Sequence, residues 1–211
     1  MRDNDERAGA VSRSLVDTET VSSFLDRIAA RTPAPGGGGA CAVSIGMAAA
    51  LVAMVARYST KQLPNAEQLA EAADALRAEA LPLVDADATA YEALLTAFRD
   101  KSPGYEERVR MAAEGAAEVP LRMTDIAARL AQIAAALHQS NTNLQGDLAI
   151  AATICYLTAA SAGQLVDLNV EAGDLDEKFS ETADANLAAV EDALDELDDL
   201  FPDLDAETGD Q

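Results

Sequence analysis

Few side chains in this sequence are suited to chemistry, and most of those are acids. Asp87 lies in "DADATAY", where Ala86, Ala88 and Ala90 leave room for a carboxylate to turn inward while Asp85, two residues away, must point elsewhere. Asp147 opens an apolar run that follows "QSNTNLQG". Either carboxylate can accept and return a proton if its surroundings move its pKa towards the working range. The competing reading of Asp87 is one more acid on a solvated face. For Asp147 it is an N-cap or first-turn acid that complements a helix dipole. His138, the sole histidine, is the third candidate for proton transfer, since histidine is the side-chain type suited to that work near neutrality. A histidine near a helix C-terminus serves equally as a favourable cation or cap.

A second kind of chemistry is binding through the main chain. "RTPAPGGGGACAVSIGMAAALVAMVARYS", residues 31–59, sets four glycines against a long run of small apolar side chains. A helix entered through Pro35, Gly36, Gly37, Gly38 and Gly39 has its first N–H groups unshielded and carries partial positive charge there. That suits an anionic or carbonyl-bearing ligand. No GK[ST] follows and no strand precedes, so nucleotide-binding loops do not fit. Without a ligand, the same glycines make a turn that lets helices pack closely. Arg99 and Lys101 are scarce bases that could neutralise an acidic ligand or form surface ion pairs of small value. Asn141 and Asn143 belong to a loop rich in side chains that bond local backbone. Tyr91 and Phe98 are aromatic core or a stacking surface for a ring.

The elements that must position these groups are helices. β-Branched and aromatic residues are scarce, and no long stretch alternates apolar with polar. The first helix is expected from Thr18 or Thr20 to Arg31, with Val21, Phe24, Leu25 and Ile28 on one buried face. The second covers Gly39 to Tyr58, and the third runs from Pro64-Asn65 towards Arg99 with a bend near Pro82. The fourth runs from Tyr105 to His138 through Pro120, the fifth from Asp147 to Val170, and the sixth from Asp176 to Leu200. Gly38, Ala42, Gly46 and Ala50 recur every fourth residue, a smooth stripe for tight helix packing within the bundle or across a dimer seam. The fold class is therefore all-α: a single-domain bundle of about six helices with long central Ala-rich helices. Its body is expected over residues 16–201, between a flexible N-terminal extension (1–15) and an acidic C-terminal tail (202–211).

Composition excludes several classes. The 211 residues carry a formal charge of −22, from 37 acids against 15 bases, yet 49% are hydrophobic. The charge therefore belongs on the surface of a folded body rather than on a disordered chain. Solubility in strong brine explains such a surface, because salt screens its self-repulsion. Nucleic acid is not an expected partner, since clustered Lys and Arg are absent. Cys41 and Cys155 lie in apolar runs at no metal-ligand spacing, which reads as reduced, buried thiols and no metal site. The uncharged runs Gly39–Ala56 and Leu148–Val166 approach the length of a membrane span. Their Ala, Gly, Ser and Thr content and lack of aromatic belts argue against one. The polar N-terminus shows no secretory signal, so a cytoplasmic location is expected.

Four blocks in order resemble a known family. "FLDRIAARTPAPGGGGACAVSIGMAAALVAMVARYS", "VDADATAYEALLTAFRDK", "GAAEVPLRM" and "NTNLQGDLAIAATICYLTAASAGQLVDLNV" cover about residues 20–171. They resemble the formiminotetrahydrofolate cyclodeaminase and methenyltetrahydrofolate cyclohydrolase family, with its T-P-x-P-G-G-G-S loop, its N-x-N-x-x-S-D stretch and its L-N-V ending. Gly39 and Gly146 stand where the family commonly has Ser, so two hydroxyls are missing here. The resemblance implies a folate substrate and no cofactor beyond it. It also implies hydrolysis of 5,10-methenyltetrahydrofolate to 10-formyltetrahydrofolate, or ammonia release from the formimino form, in a homodimer. On that reading Asp87, Asp147 and His138 are catalytic candidates. Pro35, Gly36 to Gly39, Arg99, Lys101, Asn141 and Asn143 bind substrate. The rival reading is a non-catalytic acidic helical scaffold.

Overall fold

The computed structural model describes residues 19–200. The expected N-terminal extension and acidic tail lie outside that range. Seven α-helices follow one another among the described residues, with no strand: α1 (Val21–Ala29), α2 (Gly37–Arg57), α3 (Ala66–Ala80), α4 (Leu83–Arg99), α5 (Tyr105–Ala136), α6 (Gln145–Gly173) and α7 (Lys178–Asp195). Short 3-10 turns occupy Thr142–Leu144 and Asp198–Leu200. The all-α reading holds. The segment expected as one bent helix is two, because Pro82 lacks the N–H that would continue α3 but fits the start of α4. α2 begins at Gly37, so Gly37 and Gly38 are helical rather than a loop before the expected start at Gly39.

Local chemistry sets the helix ends. Thr20 caps α1, its hydroxyl accepting from Ser23 N at 3.1 Å. Of the expected apolar face of α1, only Phe24 is buried, and Val21 and Leu25 are exposed. A run of one helical face predicts burial only where a neighbour covers it, and α1 lies at the edge of the bundle. α6 ends at Gly173, after which Asp174 adopts a left-handed conformation (φ 47°) and donates its N–H back into the last turn.

α5 is the axis of the bundle. It packs on α2, α3, α4, α6 and α7, most extensively on α6. Alanine supplies much of the core: Ala42, Ala48, Ala49, Ala53 and Ala56 of α2 meet Ala131 and Ala134 of α5 and Ala151, Ala152 and Ala159 of α6, all fully or almost fully buried. Side chains this small let helix axes approach closely. Ile45, Met123, Leu130 and Leu148 fill the remaining space. The small-residue stripe of α2 faces this interior: Gly46 packs against Leu81, and Gly38 against Asp87.

Two long helices act as rulers. α2 and α6 run antiparallel, as their ends show. At one end Gly36–Gly38 and Asn169 share a cavity. At the other, Asn141 N donates to Ser59 Oγ at 3.1 Å. α2 and the segment Thr142–Gly173 are each long and apolar enough to cross a membrane, with 56% and 39% of their most apolar windows buried in the bundle.

A close approach of α5 and α6 depends on Gly173, where an added Cβ would come 2.5 Å from the Ala113 Cβ. Neither atom can rotate away. Gly173→Ala is therefore expected to destabilise the fold by about 1–3 kcal/mol in urea denaturation, overpacking outweighing the better helix propensity of alanine. An unchanged or higher midpoint would contradict this packing.

Candidate active site

The chemistry of the site begins with an atom that glycine lacks. A Cβ on Gly38 would overlap the carboxylate of Asp87, so the missing side chain is what lets α4 lay that carboxylate on the first turn of α2. Gly39 N–H donates to it. The Asp87 carboxylate thus satisfies one of the amides that a helix start leaves without an intrahelical acceptor, at the positive end of the helix dipole. Gly36, the N-cap residue, has no side chain to do this. Pro35 is buried behind the turn, its Cβ 3.1 Å from where a Gly39 Cβ would lie, and the Ala34-Pro35 peptide is cis.

Two effects compete on Asp87. Burial disfavours its anion and raises its pKa, while the Gly39 hydrogen bond lowers it; burial wins, and the carboxyl holds its proton above the ordinary carboxylate range. The half-buried Cys41 thiol is pushed up by burial and further by the charge of Asp87, which keeps it a thiol. The fully buried Cys155 is pushed up to about 12 by burial alone among raising effects.

Beside Asp87 lies a cavity of about 290 Å³. Its floor is the glycine turn (Gly36, Gly37, Gly38), one wall is Ala90 and Tyr91 of α4, and the other is Ala116 of α5 with Leu165, Leu168 and Asn169 of α6. Asn169 was not among the sequence candidates. Its Nδ2 donates to Ala116 O at 3.0 Å and to Leu165 O at 2.8 Å. What the side chain can offer a ligand is therefore its Oδ1 acceptor. The sequence signal was present but split, with the L-N-V ending of α6 far along the chain from Pro120.

The other sequence candidates lie elsewhere on the chain. Asp147 is half-buried in the first turn of α6, roughly 33 Å along the helix from Asn169 at ~1.5 Å per residue. His138 is in the turn after α5, its N donating to Ala135 O. Asn141 Oδ1 accepts from Asn143 N at 3.1 Å and caps the 3-10 turn, and Asn141 N is tied to Ser59. Arg99 is exposed at the end of α4, roughly 18 Å along the axis from Asp87. Lys101 Nζ lies 3.8 Å from the Tyr105 ring centroid, a local cation–π contact. Within one chain, then, the cavity joins Asp87 and the glycine turn and excludes the asparagine loop. Among the described residues, no cluster of three or more His, Cys, Asp or Glu is placed to hold a metal ion.

An all-helical bundle with a partly buried carboxylate seated on a glycine helix start, beside a cavity of mixed polarity, has the make-up of a small-molecule site. The sequence profile described as formiminotransferase-cyclodeaminase matches residues 20–189, and the chain belongs to that family. It is 29% identical over 180 residues to the methenyltetrahydrofolate cyclohydrolase of Methylorubrum extorquens, covering 79% of this chain and 86% of that one. It is 34% identical over 153 residues to the mouse formimidoyltransferase-cyclodeaminase, covering 66% of this chain but only 28% of the mouse protein. The fold is similar to the crystal structure of a formiminotetrahydrofolate cyclodeaminase from Thermotoga maritima, with a TM-score of 0.78 and 27% identity over 88% of this chain and 96% of that chain.

The raised pKa of Asp87 makes a statement about stability. At low pH the group is neutral in both states and costs nothing. As pH climbs through the ordinary carboxylate range, the unfolded chain releases its proton first, and the native state is progressively penalised until Asp87 itself ionises. Asp87→Asn keeps an acceptor for Gly39 N–H and removes the penalty. The urea midpoint of this variant relative to wild type should therefore rise from acid pH to neutrality. A relative midpoint that falls over that range would contradict the burial-dominated shift.

Proposed function

We propose that the Asp87 cavity binds the ring and one-carbon bridge of a reduced folate and that the chain hydrolyses 5,10-methenyltetrahydrofolate to 10-formyltetrahydrofolate. The observation that carries this reading is the Asp87 carboxylate on the glycine turn, open to a cavity and holding its proton more tightly than an exposed acid. The match in sequence to a methenyltetrahydrofolate cyclohydrolase supports it. The cavity is at the lower end of small-molecule sites, so it takes part of a folate rather than all of it. Arg99, at the end of α4, and Lys101, just beyond it, are assigned to the glutamate carboxylates outside.

The bridging carbon of the methenyl form is a cationic amidinium and needs only an activated water. Ionised Asp87 stabilises the cation and accepts a proton as the water oxygen bonds to carbon. Neutral Asp87 then returns that proton to N5 as the C–N5 bond breaks. The adduct's remaining hydroxyl proton leaves to solvent while the formyl C=O forms. Helix geometry leaves the Gly37 and Gly38 N–H groups without intrahelical acceptors at the cavity floor, where they can hold a carbonyl of the substrate. Tyr91 offers a ring face to the pterin or benzoyl group. The likeness to a solved formiminotetrahydrofolate cyclodeaminase supports a second reading. There N10 attacks the formimino carbon while its proton passes to the imino nitrogen, and neutral Asp87 supplies the second proton as the C–N bond breaks, releasing ammonia and leaving the methenyl bridge.

We also infer a homodimer formed through α2 and α6. Met47, Ile150, Leu157 and Leu168 are large apolar side chains more than half exposed on these adjacent helices, and residues 148–166 of α6 carry no charge. A chain of net charge −22 repels its own copy over most of its surface, so the uncharged strip is where a second copy can approach. Leu168 borders both strip and cavity, and an antiparallel partner α6 would bring its own Asp147 end towards that mouth. Asp147, His138, Asn141 and Asn143 reach the substrate only in this way. The same charge favours work in a salt-rich cytoplasm.

Spectroscopic assay of purified protein in high salt, with the methenyl and formimino folates in turn, separates the two reactions; turnover of neither contradicts both. Asp87→Asn is expected to lower kcat by about 100-fold or more, and Gly38→Ala, which evicts the carboxylate, to lower it comparably without unfolding the bundle. Leu157→Arg should convert a dimer to monomer in sedimentation equilibrium, and a monomeric wild-type protein would contradict the dimer.

A further inference from the structure

Proline inside a helix removes one hydrogen bond at a defined place. Pro120 lies within α5 and has no N–H, so the carbonyl four residues earlier, that of Ala116, loses its helical donor. Ala116 is buried, and an orphaned carbonyl there is costly. The carbonyl accepts instead from Asn169 Nδ2, reaching across from α6 at 3.0 Å. The second hydrogen of that amide is held by Leu165 O, one turn back in α6, at 2.8 Å. With both donors committed to main-chain acceptors, the amide plane is fixed and its polarity is settled. The nitrogen faces the α5–α6 seam, and Oδ1 is the atom left for the cavity that Asn169 lines.

We propose that Asn169 is a substrate-recognising residue whose Oδ1 accepts a hydrogen bond from an N–H of the ligand ring, and that Pro120 is a positioning residue that acts through it by vacating the Ala116 carbonyl. This rests on the folate reading for the identity of the ligand. It does not rest on it for the coupling between the two residues. An asparagine without this anchor could flip and present N–H instead of C=O, losing discrimination between a ring donor and a ring acceptor. The cavity wall opposite Asp87 therefore reads a donor, while Asp87 handles the proton.

The test is a double-mutant cycle read by steady-state kinetics on whichever folate is turned over. Asn169→Ala should raise KM about tenfold or more with a smaller change in kcat. Asn169→Asp, whose carboxylate would face two carbonyls, should be worse. Pro120→Ala supplies an N–H that competes for Ala116 O, and should raise KM several-fold while leaving the urea midpoint equal or higher; Pro120→Ser supplies the same donor and serves if the alanine variant folds poorly. In the Asn169→Ala background, Pro120→Ala should add nothing further to KM. An unchanged KM in Asn169→Ala, or fold-changes of the two substitutions that multiply, would overturn the proposal. If wild type turns over neither folate, the catalytic reading falls and the coupling is read by NMR. The Asn169 side-chain NH₂ should be protected from solvent exchange in wild type and lose protection in Pro120→Ala. Retained protection would overturn the coupling.

Discussion

The site depends on one close approach: the Asp87 carboxylate occupies the volume that any side chain at position 38 would fill. That contact joins α4 to the first turn of α2, gives Gly39 N–H an acceptor, and leaves the carboxyl partly desolvated beside a cavity. The helix start and the hydrogen bond pull the group towards its anion, and desolvation pulls it towards its acid. Desolvation is the larger. The raised pKa of this carboxyl is the product of that balance.

The bundle supplies the frame in which that balance holds. Alanine at so many core positions lets α2, α5 and α6 lie close together, and the lengths of these helices then fix where their ends fall. One end of the α2/α6 pair carries the glycine turn, Asp87 and Asn169; the other carries Ser59, the asparagine loop and Asp147. Pro120, inside α5, frees the carbonyl of the cavity-lining Ala116, and the lost hydrogen bond reappears as the anchor of Asn169. A defect in local structure is thus matched by a contact in tertiary structure.

Most of the fold was legible in the sequence, because Ala-rich segments bounded by Pro, Gly and Asn clusters admit little but helices. The misreadings have physical causes. Gly37 and Gly38 were expected to precede α2, since glycine disfavours helix interiors; a carboxylate from another helix stabilises that turn, and local propensity contains no trace of it. Val21 and Leu25 follow the helical period yet remain exposed, because period reports a face and not whether a neighbour covers it. Asp87 was singled out as a candidate from its small neighbours, and it lies beside the cavity. Asn169 was not, because its role depends on a carbonyl freed by a proline on a different helix. Asp87 and Asp147 were read together from motif order along the chain, and the lengths of α2 and α6 place them at opposite ends of that helix pair.

The central claim is that Asp87, held on the open start of α2, is the group that meets the reacting carbon of a reduced folate. A crystal structure of the protein with a stable formyl-folate bound tests it most directly. The account predicts the one-carbon group within hydrogen-bonding distance of the Asp87 carboxylate, with the ring in the cavity between Tyr91 and Asn169. A folate bound elsewhere on the chain, with the Asp87 cavity empty, would contradict it.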